Sequence, residues 1–148
     1  AVVLTNGDPG WLIRSHFRRK LLEVLFDRKP EADAAIAADS KRYYEEIAAK
    51  RGLYMVPADS AVAEDLSRTY SNPSLGQITM VRHDGKSIFD FGEWSSEVAS
   101  QANPDGTVSF VTTDARVAGF EFVVGSSGEP TLTLRDAQHE YVFTATQE

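Results

Sequence analysis

The chain has 148 residues, 42% of them hydrophobic and 25% charged, which suits a globular protein with a real core and excludes a disordered polymer. A formal net charge of −7 argues against nucleic-acid partners, and no apolar run reaches the ~18 residues that a membrane-spanning helix needs. The absence of cysteine removes disulfides and thiolate metal sites and leaves the redox compartment open.

The first apolar run, Ala1 to Thr5, suits a strand buried in a larger sheet, and Asn6-Gly7 ends it. Ala1 stands inside that run, so the expected N-terminus of the polypeptide lies upstream. Asp8-Pro9 then starts a helix: the carboxylate can cap free N–H groups, and proline fits the first helical position because no donor is needed there. Ile13, Phe17, Leu21 and Leu25 recur every four residues, widened by Leu22 and Phe26, with Arg14, Arg18, Arg19 and Lys20 on the wet side. A short strand and one helix cannot complete a core, so residues 1–29 are expected to pack loosely or to borrow contacts. Pro30 begins a second helix running to about Arg51, with Gly52 suited to a left-handed C-terminal cap. Ala32, Ile36, Tyr43 and Ile47 make a thin apolar face with Tyr44 beside it, which reads as a connector over residues 30–58. Pro57 and Asp59-Ser60 predict a further turn or two of helix.

From Leu66 onward the pattern predicts eight strands: Leu66 to Tyr70, Gln77 to His83, Lys86 to Phe91, Trp94 to Ala99, Thr107 to Thr112, Gly119 to Val124, Thr131 to Arg135 and Glu140 to Ala145. Asn72-Pro73 and Gly76 punctuate the first turn. Asp84-Gly85 calls for a two-residue type I′ hairpin, Asn103-Pro-Asp-Gly106 for a turn, and Gly125 to Pro130 for a polar hairpin loop. Consecutive short strands with tight turns predict an α+β chain: N-terminal helices, then an eight-stranded antiparallel up-and-down barrel over residues 59–148. Residues 51–148 carry 6 basic and 14 acidic residues, near −8, whereas residues 1–50 hold 9 and 8.

Three segments carry a family resemblance. Tyr70-Ser-Asn-Pro-Ser-Leu-Gly76, Phe89-Asp-Phe-Gly-Glu-Trp94 and Leu134-Arg-Asp-Ala-Gln-His-Glu-Tyr141 resemble the C-terminal, lipocalin-like barrel appended to many serine hydrolases of the β-lactamase and penicillin-binding-protein superfamily. Val2-Val-Leu-Thr-Asn-Gly-Asp8 and Arg18-Arg-Lys-Leu-Leu-Glu-Val-Leu-Phe-Asp27 resemble the last strand and helix of the hydrolase domain itself. The resemblance implies a non-catalytic accessory domain that packs on an upstream catalytic domain of the same polypeptide, shapes active-site access or mediates self-association. It also implies a periplasmic or secreted parent. A small apolar-ligand carrier is the alternative, and a self-associating module a third reading.

No chemistry is assignable to the chain itself. The superfamily places Tyr-x-Asn and His/Lys-x-Gly elements beside a Ser-x-x-Lys nucleophile, which Tyr70-Ser-Asn72 and His83-Asp-Gly85 imitate. No serine here has lysine three residues on, and a nucleophilic serine needs an adjacent base. Strand end and hairpin turn explain both segments. His16, His83 and His139 lie far apart without ligand spacing, so neither metal nor cofactor is expected. The basic run from Arg14 to Lys20 reads as a solvated helix face. The interior of so small a barrel is expected to be filled rather than hollow. Its candidate lining is Trp94, Phe110, Phe120, Phe122, Tyr141 and Phe143. Asp90 and Arg135 interrupt apolar strands, and inside a barrel such opposite charges would need one another or a ligand.

Overall fold

The structure, a computed structural model, describes Leu4 and residues 10–125, 128, 130–136 and 138–146. The expected strand from Ala1 to Thr5 and the Asp8-Pro9 helix start lie outside the described residues except for Leu4, which is exposed and in no element. Ser126, Ser127 and Glu129 of the Gly125 to Pro130 loop lie outside them too. The chain falls into two compact units, Ala1–Gly52 and Leu53–Glu148. The helix expected as a connector therefore belongs with the helix before it.

The first unit is a helical hairpin of α1 (Gly10–Leu25) and α2 (Ala32–Arg51). The four-residue stripe predicts that Ile13, Phe17, Leu21 and Leu25 form the buried face, but Ile13 and Leu25 are exposed while Leu12 and Glu23 are buried. The seam of the hairpin holds an edge-on contact of Trp11 with Tyr43 at 6.0 Å, and the rest of it is rich in polar pairs. His16 Nε2 meets Asp39 Oδ2 at 2.7 Å, Lys20 Nζ meets Asp33 Oδ2 at 2.5 Å, and Arg19 pairs with Glu31. Glu31 precedes α2 without a capping side-chain bond, and α1 supplies the cap instead. Glu23 Oε1 accepts from the N–H groups of Glu31 at 2.9 Å and Ala32 at 2.8 Å, satisfying donors that every helix start leaves free. At the far end, Gly52 has φ −65°, and its N–H still bonds Ala48 O at 3.0 Å. The left-handed cap expected there does not form, because the helical bond pattern runs on through the glycine.

The second unit is a closed antiparallel barrel. Its strands are β1 (Thr69–Asn72), β2 (Gly76–His83), β3 (Lys86–Asp90), β4 (Ser95–Ala102), β5 (Val108–Thr112), β6 (Glu121–Gly125), β7 (Thr131–Arg135) and β8 (Glu140–Ala145). Each pairs with the next, and β8 returns to β1 through Tyr70↔Ala145 and Ser71↔Thr144, which removes the open edges. The Asp84-Gly85 hairpin has positive φ at both central residues, 49° and 72°, as a type I′ turn requires. Strand alternation sends Tyr70, Ile78, Phe89, Phe110, Phe122, Leu132 and Phe143 inward, each at most 1% exposed. Burying each large apolar side chain stabilises the barrel by roughly 1.5–3 kcal/mol.

Up-and-down winding gives the barrel two distinct ends. Chain direction puts α3 (Ser60–Glu64) at the end where β1 begins, and its Ala63, with Ala58 and Leu66, joins the interior cluster. Asp59 Oδ1 caps α3 by accepting from Ala61 N–H at 2.9 Å, as the Asp59-Ser60 pair predicts. Arg82 near the end of β2 donates to the Ala63 and Leu66 carbonyls, and the backbone of Met55 pairs with that of Ser100. The plugged end thus belongs to α3. The β1–β2, β3–β4, β5–β6 and β7–β8 connections crowd the opposite mouth.

Candidate ligand site at the open mouth of the barrel

All four of those connections are braced by side chains that accept backbone N–H groups, the β7–β8 turn by Asp136 Oδ1, which accepts from Gln138 N–H at 2.7 Å and His139 N–H at 2.6 Å. In the first, Asn72 Oδ1 accepts from Ser74 N–H at 2.9 Å and Leu75 N–H at 3.0 Å, while its amide donates to Val142 O at 2.8 Å. In the second, Asp90 Oδ1 accepts from Gly92 N–H at 2.9 Å and Phe91 N–H reaches Trp94 O at 2.9 Å. Gly92 holds φ 86°, a conformation that side chains disfavour, and so the chain reverses within four residues. In the third, Ser96 Oγ accepts from Thr113 and Asp114 N–H, Asp114 binds Arg116, and Thr112 Oγ1 receives Phe120 N–H at 3.0 Å. The Arg116 guanidinium and its backbone N–H hold the Asp114 carboxyl down at about 2, well below the usual carboxylate value.

These turns fix a set of rings at the rim. Phe91 and Trp94 stack with centroids 3.8 Å apart at 19°, and Trp94 lies 6.0 Å from Phe120. Deeper, Phe91 lies 5.8 Å from Phe122, which meets Phe143 edge-on at 6.1 Å. Together with Leu75, Gly76 and Leu134 they enclose a cleft of about 460 Å³, with Gln77 and Glu93 as its polar lining. Neither polar side chain makes a hydrogen bond or ion pair among the described residues, and no basic residue lines the cleft. The volume lies within the roughly 300–1,000 Å³ of small-molecule pockets, which combine apolar walls with a few polar groups.

The candidate residues read from sequence divide among three places. Trp94, Phe120, Phe122 and Phe143 line the cleft. Phe110 is sealed in the filled centre 5.8 Å from Phe89, and Tyr141 packs half-buried against the interior cluster opposite Leu134. Asp90 and Arg135 are not interior groups. Phe89 and Leu134 occupy the inward positions beside them, so alternation turns both charges outward. Asp90 braces the β3–β4 turn, and Arg135 Nε pairs with Glu140 Oε2 at 2.8 Å across the β7–β8 hairpin. Leu75, Gln77, Phe91, Glu93 and Leu134 were not singled out by sequence reasoning. The available signal was two aromatics flanking Gly92-Glu93, which a tight reversal brings face to face.

The other sequence candidates do not converge. Asn72 ends β1 opposite Gly76 at the start of β2, whereas His83 ends β2 at the other end of the barrel, and Tyr70 is buried with its hydroxyl accepting from Ser67 N–H at 3.0 Å. Burial pushes the Tyr70 phenol above its ordinary value. His83 is exposed beside Asp84, and His139 lies by Asp136 at the β7–β8 turn. Among the described residues, no three His, Cys, Asp or Glu side chains gather at metal-binding distance, and no helix is long and apolar enough to cross a membrane. Comparison with known protein families, curated proteins and solved structures finds no match to this chain.

Proposed function

We propose that the chain is a non-catalytic accessory domain of a β-lactamase-like serine hydrolase, with the helical hairpin docking on the upstream catalytic domain of the same polypeptide. The observation that carries this reading is the surface of α1. Its seam with α2 is largely ion pairs beside the one Trp11–Tyr43 ring contact among the described residues, while Ile13, Leu22, Val24, Leu25 and the following Phe26 stand between 42% and 70% exposed. Apolar side chains concentrated on one short helix suit a buried contact with another body. The resemblance of Arg18 to Asp27 to the last helix of the hydrolase domain names that body, and the lack of a Ser-x-x-Lys pair leaves catalysis to it. The test has two arms. The chain alone should not turn over a chromogenic β-lactam or a nitrophenyl ester, and it should form a one-to-one complex with the separately prepared catalytic domain. Turnover by the chain, or no complex, contradicts the reading.

A second reading is favoured by the rim cleft: the barrel holds a small ligand with an apolar body. Its test is saturable displacement of an environment-sensitive apolar dye, accompanied by shifts of Trp94 in the ¹H–¹⁵N spectrum. Dye bound only on α1 contradicts it.

A further inference from the structure

We infer that the rim cleft selects organic cations, small quaternary or substituted ammonium compounds with an apolar body, over neutral and anionic ligands of the same shape. This rests on the reading of the cleft as a ligand site and specifies the chemistry that site recognises.

Three features point the same way. The walls are π faces: Trp94 and Phe91 stacked at the rim, Phe120 beside them, Phe122 below. Such faces carry partial negative charge and attract a cation within about 6 Å of the ring centroid, with tryptophan the strongest. The ionisable group in the lining is an acid. Glu93 lies in the turn between the stacked rings and makes no hydrogen bond or ion pair among the described residues, and Gln77 adds a carbonyl acceptor. Beyond the cleft, the barrel unit, Leu53–Glu148, holds 14 acidic against 5 basic residues, a field that raises the local concentration of cations and repels anions.

The same features disfavour the alternatives. A neutral apolar ligand would gain nothing from the Glu93 carboxylate, which stays exposed to water and receives no partner from such a ligand. A fatty carboxylate would face that acid with like charge. An ammonium head beside Glu93, with its alkyl or aryl body over Trp94 and Phe120, satisfies acid and rings together. Because Trp94 and Phe120 are only 6.0 Å apart, the ligand lies across the rings rather than between them. The bracing by Asn72, Asp90 and Thr112 sets the rim before any ligand arrives, which reduces the ordering cost of binding.

The experiment titrates the full chain with acetylcholine, its neutral isostere 3,3-dimethylbutyl acetate, and decanoate. Binding is followed by Trp94 fluorescence in a Trp11→Phe background and by the Trp94 indole N–H signal. The cation should bind about tenfold more tightly than the isostere, and decanoate more weakly than either. Glu93→Gln, at an exposed rim position, should abolish most of the preference by weakening the cation, with the signals of residues outside the cleft unchanged. Equal binding of cation and isostere, or a preference that survives Glu93→Gln, overturns the cation inference and leaves the apolar-ligand reading standing. Absence of binding by every probe overturns both.

Discussion

The two units differ in how much apolar surface they bury. In the barrel, apolar side chains from all eight strands meet inside, with a few small buried hydroxyls such as Ser87, Ser100 and Thr112 among them, so closure of the sheet completes the core within the unit. In the helical hairpin, the contact between α1 and α2 joins an edge-on Trp11–Tyr43 pair to a row of ion pairs and a carboxylate cap, and much of the apolar surface of α1 lies outside it. Exposed ion pairs contribute little net stability, whereas enclosed apolar area contributes most of what a domain has. The barrel is therefore expected to stand by itself, and the hairpin to be a marginal element that awaits a covering surface.

That asymmetry can be broken in order of expected effect. The largest change comes from Phe89→Ala, which empties the centre where Phe89 touches Phe110 and Phe122. A barrel destabilisation of about 3–5 kcal/mol is expected in denaturant titration, with the helical signal of α1 and α2 little altered. Next is Glu23→Ala, which leaves the Glu31 and Ala32 N–H groups unsatisfied beside a buried site. It should destabilise the hairpin by about 1–2 kcal/mol, seen as lost helical circular dichroism, and Glu23→Gln should retain much of the cap because one oxygen remains an acceptor. Neither change at Glu23 should move the barrel's unfolding midpoint.

Acid should separate the units as well. Asp39 titrates below its ordinary 3.8, first because His16 hydrogen-bonds it and then because Arg42 lies close. A carboxyl lowered by folding contributes stability above its unfolded value and loses it as pH falls through the folded one. The hairpin is thus expected to loosen as pH drops below 3.8. Asp114, held at about 2 by Arg116, keeps its charge to lower pH, so the loop that presents Phe120 should outlast the hairpin in an acid titration followed by NMR. The smallest effect is expected from salt. Raising ionic strength screens the Lys20–Asp33 and Arg19–Glu31 pairs and should lower the hairpin's melting temperature more than the barrel's, whose ion pairs stand outside an apolar core.

The barrel was legible because its signals are local. Alternation at Phe120 to Val124 or Tyr141 to Ala145, and Gly at a turn needing positive φ, fix strand faces and reversals within a few residues; the eight strands appear with ends displaced by at most three positions. The hairpin face was not legible. The apolar period in α1 marks a surface suited to burial, but His16, Lys20 and Glu23 took the seam because α2 places Asp39, Asp33 and its free N–H groups opposite them. For the cleft, the aromatic set was readable and its geometry was not, since which rings seal the centre and which stay at the rim depends on how the connections close one mouth. Asp90 and Arg135 show the same limit: each looked anomalous in an apolar strand, and each is an outward residue at the strand's end.

Native-state hydrogen exchange on the full chain tests this division most directly, because it reads the opening free energy of each unit in one sample. The account predicts that amides of β2 to β7 exchange only through global opening of the barrel, while those of α1 and α2 exchange orders of magnitude faster through local opening. Equal, global-level protection in the two helices and the barrel strands would contradict it, because the hairpin would then be as self-sufficient as the barrel.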